Sequence, residues 1–502
     1  MNVKRIIKKP RVTKTRIKLT SFENGLNLKH DSNITPLTYA TNLYNFKTQS
    51  GALTGGLGIS YLTAALYPSL AQQTQTELAK KSVIGSYYLK QYDQDLEENK
   101  DKLAVVFNDF KMGYLPLNPS DVSAANMLNV LPNVSFTSKP VAANYRLNSE
   151  DCTIFSSPTD TMTVWPTSSN IFKVIDAPNI SSMCVHYERL FATIDKEQTS
   201  VWFSDDLDPT NWSLSLTEAG FIDMQDERGA LKKVISFNDY VYVFRDYGIA
   251  RISAYGDQTN FSVAQLFISS GKIYTNTVVL CGDVVFFLAS DGLYRFDGLN
   301  CTKILDSIAP GFSGVDNSNA EATYFENNYY LACNFNFKDS NAVENDFNNN
   351  CLIKIDINKL QTTFLRGADI ISISSVNSDF FCGVIVCAKT ASTENYQLGV
   401  VDNSGALFGS NLTKVWESPL TDLGYPERQK NLSVLFITSS GSATITFEDE
   451  NGKNQSYKLE GKTKASKISM RFPFNKLKFR IESTDPLVTI TNPYCLIKMS
   501  EV

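Results

Sequence analysis

Short apolar runs separated by polar turn pairs fill most of this chain, and their period is close to two. That alternation predicts strands rather than helices. KKVISF (232–237), Asn238-Asp239 and YVYVFRD (240–246) read as a hairpin. So do VVFFLAS (284–290), Asp291-Gly292 and LYRFDG (293–298). Asp-Gly at such a tip suits a type I′ turn, whose two central residues need positive φ. NNYYLACNF (327–335) pairs with CLIKIDI (351–357), and DFFCGVIVCAK (379–389) with YQLGVVD (396–402). Hairpins of this kind recur from about residue 80 to about residue 410, with roughly 40–50 residues per four-strand group and no clean sequence repeat. The spacing predicts an all-β fold: a degenerate β-propeller over 61–410, with a large β-sandwich or barrel as the alternative.

After NLTKVWESPLTDLGYPERQKNL, read as a linker (411–430), strict alternation resumes in LSVLFITSSGSATITFEDENGK and continues to the end. About six strands there predict a small C-terminal β-sandwich over 431–502. Residues 19–60 read as an extended, Gly-rich lead-in. Two helices are expected, at 69–81 and at 120–131 with Ser120 as its N-cap.

Charge adds one feature to this picture. Residues 1–18 contain Lys4, Arg5, Lys8, Lys9, Arg11, Lys14, Arg16 and Lys18 and no acid. Subtracting those eight charges from the overall −5 leaves about −13 on the rest. A basic arm on an acidic body suggests contact with an acidic neighbouring surface, with nucleic acid and a solvated tail as the alternatives. The arm is expected to be removable without loss of folding.

Candidate chemistry is sparse. SDDLDPTNW (204–212) approaches the Asp box of sialidases, with Ser204, Asp206 and Trp212 in place. Asp208 stands where that box has glycine, and the tryptophan comes one residue late. A turn with Trp212 as a packing anchor is the plainer reading. DDLD and ENDFNNN (344–350) lack calcium-loop spacing. GALTGGLG (51–58) lacks the Lys-Ser/Thr of a phosphate-cradling loop. Of two histidines, His186 lies in an apolar strand-like run and His30 is far from any Cys cluster. The nine cysteines are widely spaced with no CxxC pair, which argues for reduced thiols and against zinc. No catalytic residue, cofactor or metal is expected. A leader peptide and a membrane anchor are not expected either.

Several segments in order resemble the tail and connector proteins of short-tailed bacteriophages. They are NGLNLKHDSNITPLTYATNLYNFKTQSGAL, RLFATIDKEQTSVWFSDDLDPTNW, GALKKVISFNDYVYVFRDYGIARI, VVLCGDVVFFLASDGLYRFDG and WESPLTDLGYPERQKNLSVLFI. That group includes packaged-DNA stabilisation and tail nozzle (tubular) proteins of podoviruses, and ring, hub or muzzle proteins of crAss-like phages. The resemblance implies a non-enzymatic virion protein, made in the host bacterial cytoplasm and placed in the tail. It implies a homo-oligomeric ring of six copies, with twelve as the alternative, around a DNA-exit channel below the portal. Neighbouring tail, portal-adaptor or fibre proteins would be its partners, and DNA would pass without sequence-specific contact. Trp212, Tyr294, Phe296 and Trp416 are the expected structural anchors, and the eight arm bases the expected partner-binding residues. The competing expectations are a glycan-binding or glycan-degrading propeller at the tail tip, and a cellular scaffold.

Overall fold

The computed structural model describes residues 12–500 apart from 69–77, 79–80, 123–127, 168, 170–171 and 216. Among these residues β-strands predominate, and the chain divides into two units. The larger comprises residues 60–360 and 367–401, the smaller 1–59, 361–366 and 402–502.

The larger unit is a succession of small, mainly antiparallel sheets, five of them made of four consecutive strands. Their first strands are Val83–Leu89, Val141–Leu147, Ile180–His186, Leu231–Phe237, Ile273–Cys281, Glu321–Phe325 and Asp369–Asn377. Second strands such as Arg189–Ile194 and Val284–Ala289 are buried at every position. They read as continuous apolar runs because both of their faces meet neighbouring sheets. Fourth strands such as Ser262–Ile268 are largely exposed.

Each sheet packs on the next. Trp165 and Phe155 of the second sheet join Val106 and Leu89 of the first. Leu190 and Ala192 of the third join Ile154 of the second, and Phe203 of the third joins Val243 of the fourth. Phe244 of the fourth meets Phe287 of the fifth at 5.6 Å between ring centres. The Tyr329 hydroxyl of the sixth sheet donates to the Thr277 carbonyl of the fifth (2.8 Å). Thr323 of the sixth donates to Ser375 of the seventh (3.1 Å). Finally Ile385 and Cys387 of the seventh pack with Val105 and Phe107 of the first, so the contacts run in a cycle.

Turn chemistry sets the hairpins. Asn238 and Asp239 both have positive φ (46° and 60°), as the sequence predicts. Glu326-Asn327 (44° and 60°) and Asn148-Ser149 (51° and 67°) do the same without an Asn-Gly or Asp-Gly signal. The Asp291-Gly292 expectation is corrected. Ala289 pairs with Gly292, so the loop is Ser290-Asp291 and Gly292 begins the next strand. Asp291 is held there by the Tyr294 hydroxyl, which donates to its carboxylate at 2.7 Å.

The expected helices need correction too. Most of 69–81 lies outside the described residues, and a short helix, Leu62–Leu66, precedes it. At 120–131 there is one 3-10 turn, Pro119–Asp121, capped by Asn118 rather than Ser120. Residues 129–131 belong to the strand Asn129–Ser135, and 123–127 lie outside the described residues.

The smaller unit gathers both chain ends. One sheet contains Phe46–Gln49, Ala52–Gly55, Thr489–Ser500, Lys430–Ser439 and Lys462–Phe474, with Val12–Lys18 paired to Thr489–Ser500. The other contains Asn42–Tyr44, Lys414–Glu417, Leu477–Ser483, Ala443–Asp449 and Asn454–Leu459. Every second residue is buried along Ala443–Asp449 and Leu477–Ser483, the pattern of a sheet with one face in a core. The expected lead-in (19–60) thus holds strands from Asn42 onward, and the expected linker (411–430) holds the strand Lys414–Glu417, while the described residues 19–41 and 418–429 contain no strand. The GALTGGLG glycines serve this packing: a Cβ on Gly55 would lie 2.4 Å from the Pro486 carbonyl oxygen, and one on Gly56 2.6 Å from that of Asn45.

Candidate interaction face and central cavity

Lys4, Arg5, Lys8, Lys9 and Arg11 lie outside the described residues. Lys14, Arg16 and Lys18 do not hang free. They sit in a strand that pairs residue for residue with the C-terminal strand, from Val12 opposite Ser500 to Lys18 opposite Tyr494. Alternation puts all three on the exposed side. Deleting 1–18 would therefore remove a sheet strand, contrary to the expectation that the arm is dispensable for folding.

Register extends this exposed side across four strands. Lys18, Tyr494, Phe436 and Lys467 form one row, and Arg16, Leu496, Val434 and Ser469 the next. Lys14, Lys498 and Asn431 form a third. The Arg16 guanidinium lies 4.4 Å from the centre of the Tyr494 ring. No Asp or Glu occurs in Val12–Lys18, Lys430–Ser439, Lys462–Phe474 or Thr489–Ser500. The result is an acid-free basic face with an apolar floor, and a hollow of about 440 Å³ lined by Arg16, Phe436, Tyr494 and Leu496. Sequence reasoning found the arm's bases but missed Lys467, Lys498, Phe436 and Tyr494. The alternation of the last strands was visible; which of their faces meets the arm was not.

The four expected anchors are placed as follows. Trp212 is buried among Ile154, Met162 and Leu190, and its indole N–H donates to the Pro209 carbonyl (2.9 Å). Tyr294 stacks on Phe287 at 5.4 Å, and Phe296 is fully buried beside it. Trp416 is fully buried in the smaller unit between Phe22 (5.1 Å) and Phe479 (5.2 Å).

The Ser204–Trp212 segment is a self-satisfied turn. Asp205, not Asp206, organises it: its carboxylate accepts from the Glu218 amide (2.9 Å) and the Asn211 side chain (2.8 Å). Asp208 accepts from the amide and hydroxyl of Thr210 (2.9 and 2.6 Å). Asn348, Asn349 and Asn350 likewise spend their amides on local backbone and side chains. Among the described residues no group of three or more His, Cys, Asp or Glu is arranged to hold a metal. His186 is buried, with Nδ1 2.9 Å from the Ser236 hydroxyl and its ring between Tyr187 and Phe191. Burial pushes its pKa down, so it packs as a neutral ring. No helix of the described residues is long and apolar enough to cross a membrane.

In the larger unit the first strands of all seven sheets line a cavity of about 730 Å³. Serine, threonine and alanine dominate its wall, and their small side chains leave the space open. Three lysines, Lys139, Lys232 and Lys233, and one glutamate, Glu321, line it. Lys139 pairs with Glu321 and donates to the Ser372 hydroxyl (3.1 Å). Glu321 also accepts from that hydroxyl (3.0 Å) and from the Ile373 amide (3.3 Å). Lys233 makes no ion pair or hydrogen bond among the described residues. Burial pushes its ammonium below the usual lysine range, opposed by the charge of Glu321.

The sequence matches no protein family and no curated protein. Solved structures overlap it only in part. PorZ, a bacterial surface component of the type-IX secretion system of Porphyromonas gingivalis, is 10% identical with a TM-score of 0.36, covering 63% of this chain and 39% of its own. Hsv2 of Kluyveromyces lactis is 9% identical with a TM-score of 0.35, covering 64% and 99%. BBS1N, solved with ARL6DN, is 9% identical with a TM-score of 0.39, covering 64% and 97%. This chain thus spans about two fifths of PorZ. Overlaps at this level carry no argument about function.

Proposed function

We propose that the chain is a structural component of a bacteriophage tail, a subunit of a ring around the DNA-exit channel below the portal. Residues 60–401 are read as a seven-bladed β-propeller. The succession of meander sheets and their cyclic packing support that reading. The observation that carries the functional reading is the acid-free basic face built by Lys14, Arg16, Lys18, Lys467 and Lys498. A surface of one sign on a chain of net charge −5 suits docking on acidic surface of a neighbouring subunit or tail protein. The ring contains six copies, with twelve as the alternative.

Sedimentation velocity tests the role of the face. The purified chain should form a discrete oligomer at low ionic strength that dissociates near about 0.5 M salt, where the Debye length falls to a few ångströms. The triple reversal K14E/R16E/K18E should remain monomeric. An oligomer unchanged by that reversal removes the face from the account.

A second reading, glycan binding at the tail tip, draws on an exposed aromatic pair of the larger unit. Tyr187 and Tyr255 meet edge-on at 5.6 Å while 50% and 75% exposed. Binding of host polysaccharide that is lost in Y187A/Y255A would favour it.

A further inference from the structure

We propose that the central cavity of the larger unit is a binding site for a small oxyanion, a carboxylate or a phosphate, held by Lys233 with Thr275 and Asn276. The volume, about 730 Å³, falls in the range of small-molecule sites. The inference is independent of the tail assignment.

Charge within the cavity points to the ligand's sign. Lys139 and Glu321 neutralise each other, and Ser372 and the Ile373 amide complete their hydrogen bonds. The Lys232 ammonium, on the same wall, has Asp195 at 3.6 Å. Lys233 is left over, so one positive charge stands in excess. Lys233 is half-buried on the cavity wall, and the partial loss of solvent there lowers its hold on the proton. An anion bound there would stabilise the charged form.

Neighbouring groups supply matching donors. Thr275 and Asn276 lie on the next first strand, Ile273–Cys281, and also line the cavity. Thr275 is half-buried and Asn276 exposed, and neither side chain makes a hydrogen bond among the described residues. Ser86, by contrast, is matched with Ser374 (2.7 Å), and Thr323 with Ser375 (3.1 Å). Donors open to a ligand therefore share the cavity wall with the unpaired lysine. An ammonium, a hydroxyl and a carboxamide N–H form a donor set suited to an oxygen-rich anion.

Isothermal titration calorimetry of the full chain, with inorganic phosphate and separately with citrate, tests the site. One saturable site per chain is expected for at least one anion, and which one binds distinguishes the two chemistries. K233M should weaken binding at least tenfold, while K196M, on an exposed turn, should not change it. Asn276→Asp adds a carboxylate to the same cavity wall and should abolish binding without removing the lysine. The melting temperature of K233M in anion-free buffer should equal or exceed that of the parent, which shows that the variant is folded. Saturable binding of neither anion overturns the proposal, as does unchanged affinity in K233M or in N276D.

Discussion

Arg16 and Tyr494 lie at opposite ends of the sequence, yet the guanidinium of one sits 4.4 Å from the ring centre of the other. The contact follows from register, because Arg16 pairs with Leu496 and Lys18 with Tyr494 across adjacent strands. The arm's first described strand is thus part of the smaller unit's sheet. Removing residues 1–18 should lower the melting temperature by several degrees relative to removing 1–11 alone, because only the longer deletion takes the strand Val12–Lys18. R16A alone should cost about 0.5–1 kcal/mol, the scale of an exposed cation–π pair. Thermal denaturation of the three variants checks this.

Trp416 is the largest apolar group at the centre of the smaller unit, fully buried against Phe22 and Phe479. Trp416→Ala should destabilise that unit by about 3–5 kcal/mol through lost burial and the cavity left behind. Trp416→Phe should cost less, because the indole N–H has no hydrogen-bond partner to lose. Urea denaturation of both variants measures the difference.

His186 gives the fold a pH dependence of known sign. Its folded pKa is depressed by burial, so the unfolded chain takes up a proton first as pH falls. Stability should therefore decline as pH falls through the unfolded histidine value of about 6.5. H186N should remove that part of the slope. A slope unchanged in H186N would show that other groups set it.

Thiol labelling probes burial. Cys382 is exposed, whereas Cys152, Cys281, Cys333, Cys351, Cys387 and Cys495 are buried. Burial also pushes the half-buried Cys184 and Cys301 thiols up to about 12, so they stay protonated. A disulfide-exchange reagent at neutral pH should react rapidly with one thiol of the native chain and with all nine after denaturation. C382S should abolish the fast phase.

Local pattern made the strands legible. The apolar runs at 189–194 and 284–289 announce strands buried on both faces, and Asn238-Asp239 announces its hairpin. Glu326-Asn327 forms the same turn without the expected glycine, and Asp291-Gly292 looks like one that it is not. Long-range pairing was the larger loss. Nothing near Lys14 indicates that it will lie opposite Lys498, so the basic face stayed hidden behind a basic tail. Lys233 is one lysine among many in the sequence. Only the seven first strands facing one cavity show it on that wall without an ion pair.

The central claim is that the chain is a fixed-copy part of a phage tail. Quantitative mass spectrometry of purified virions, with the portal protein as internal standard, tests it most directly. The account predicts a constant six copies per particle, or twelve. Absence from purified particles, or a copy number that varies between preparations, would contradict it.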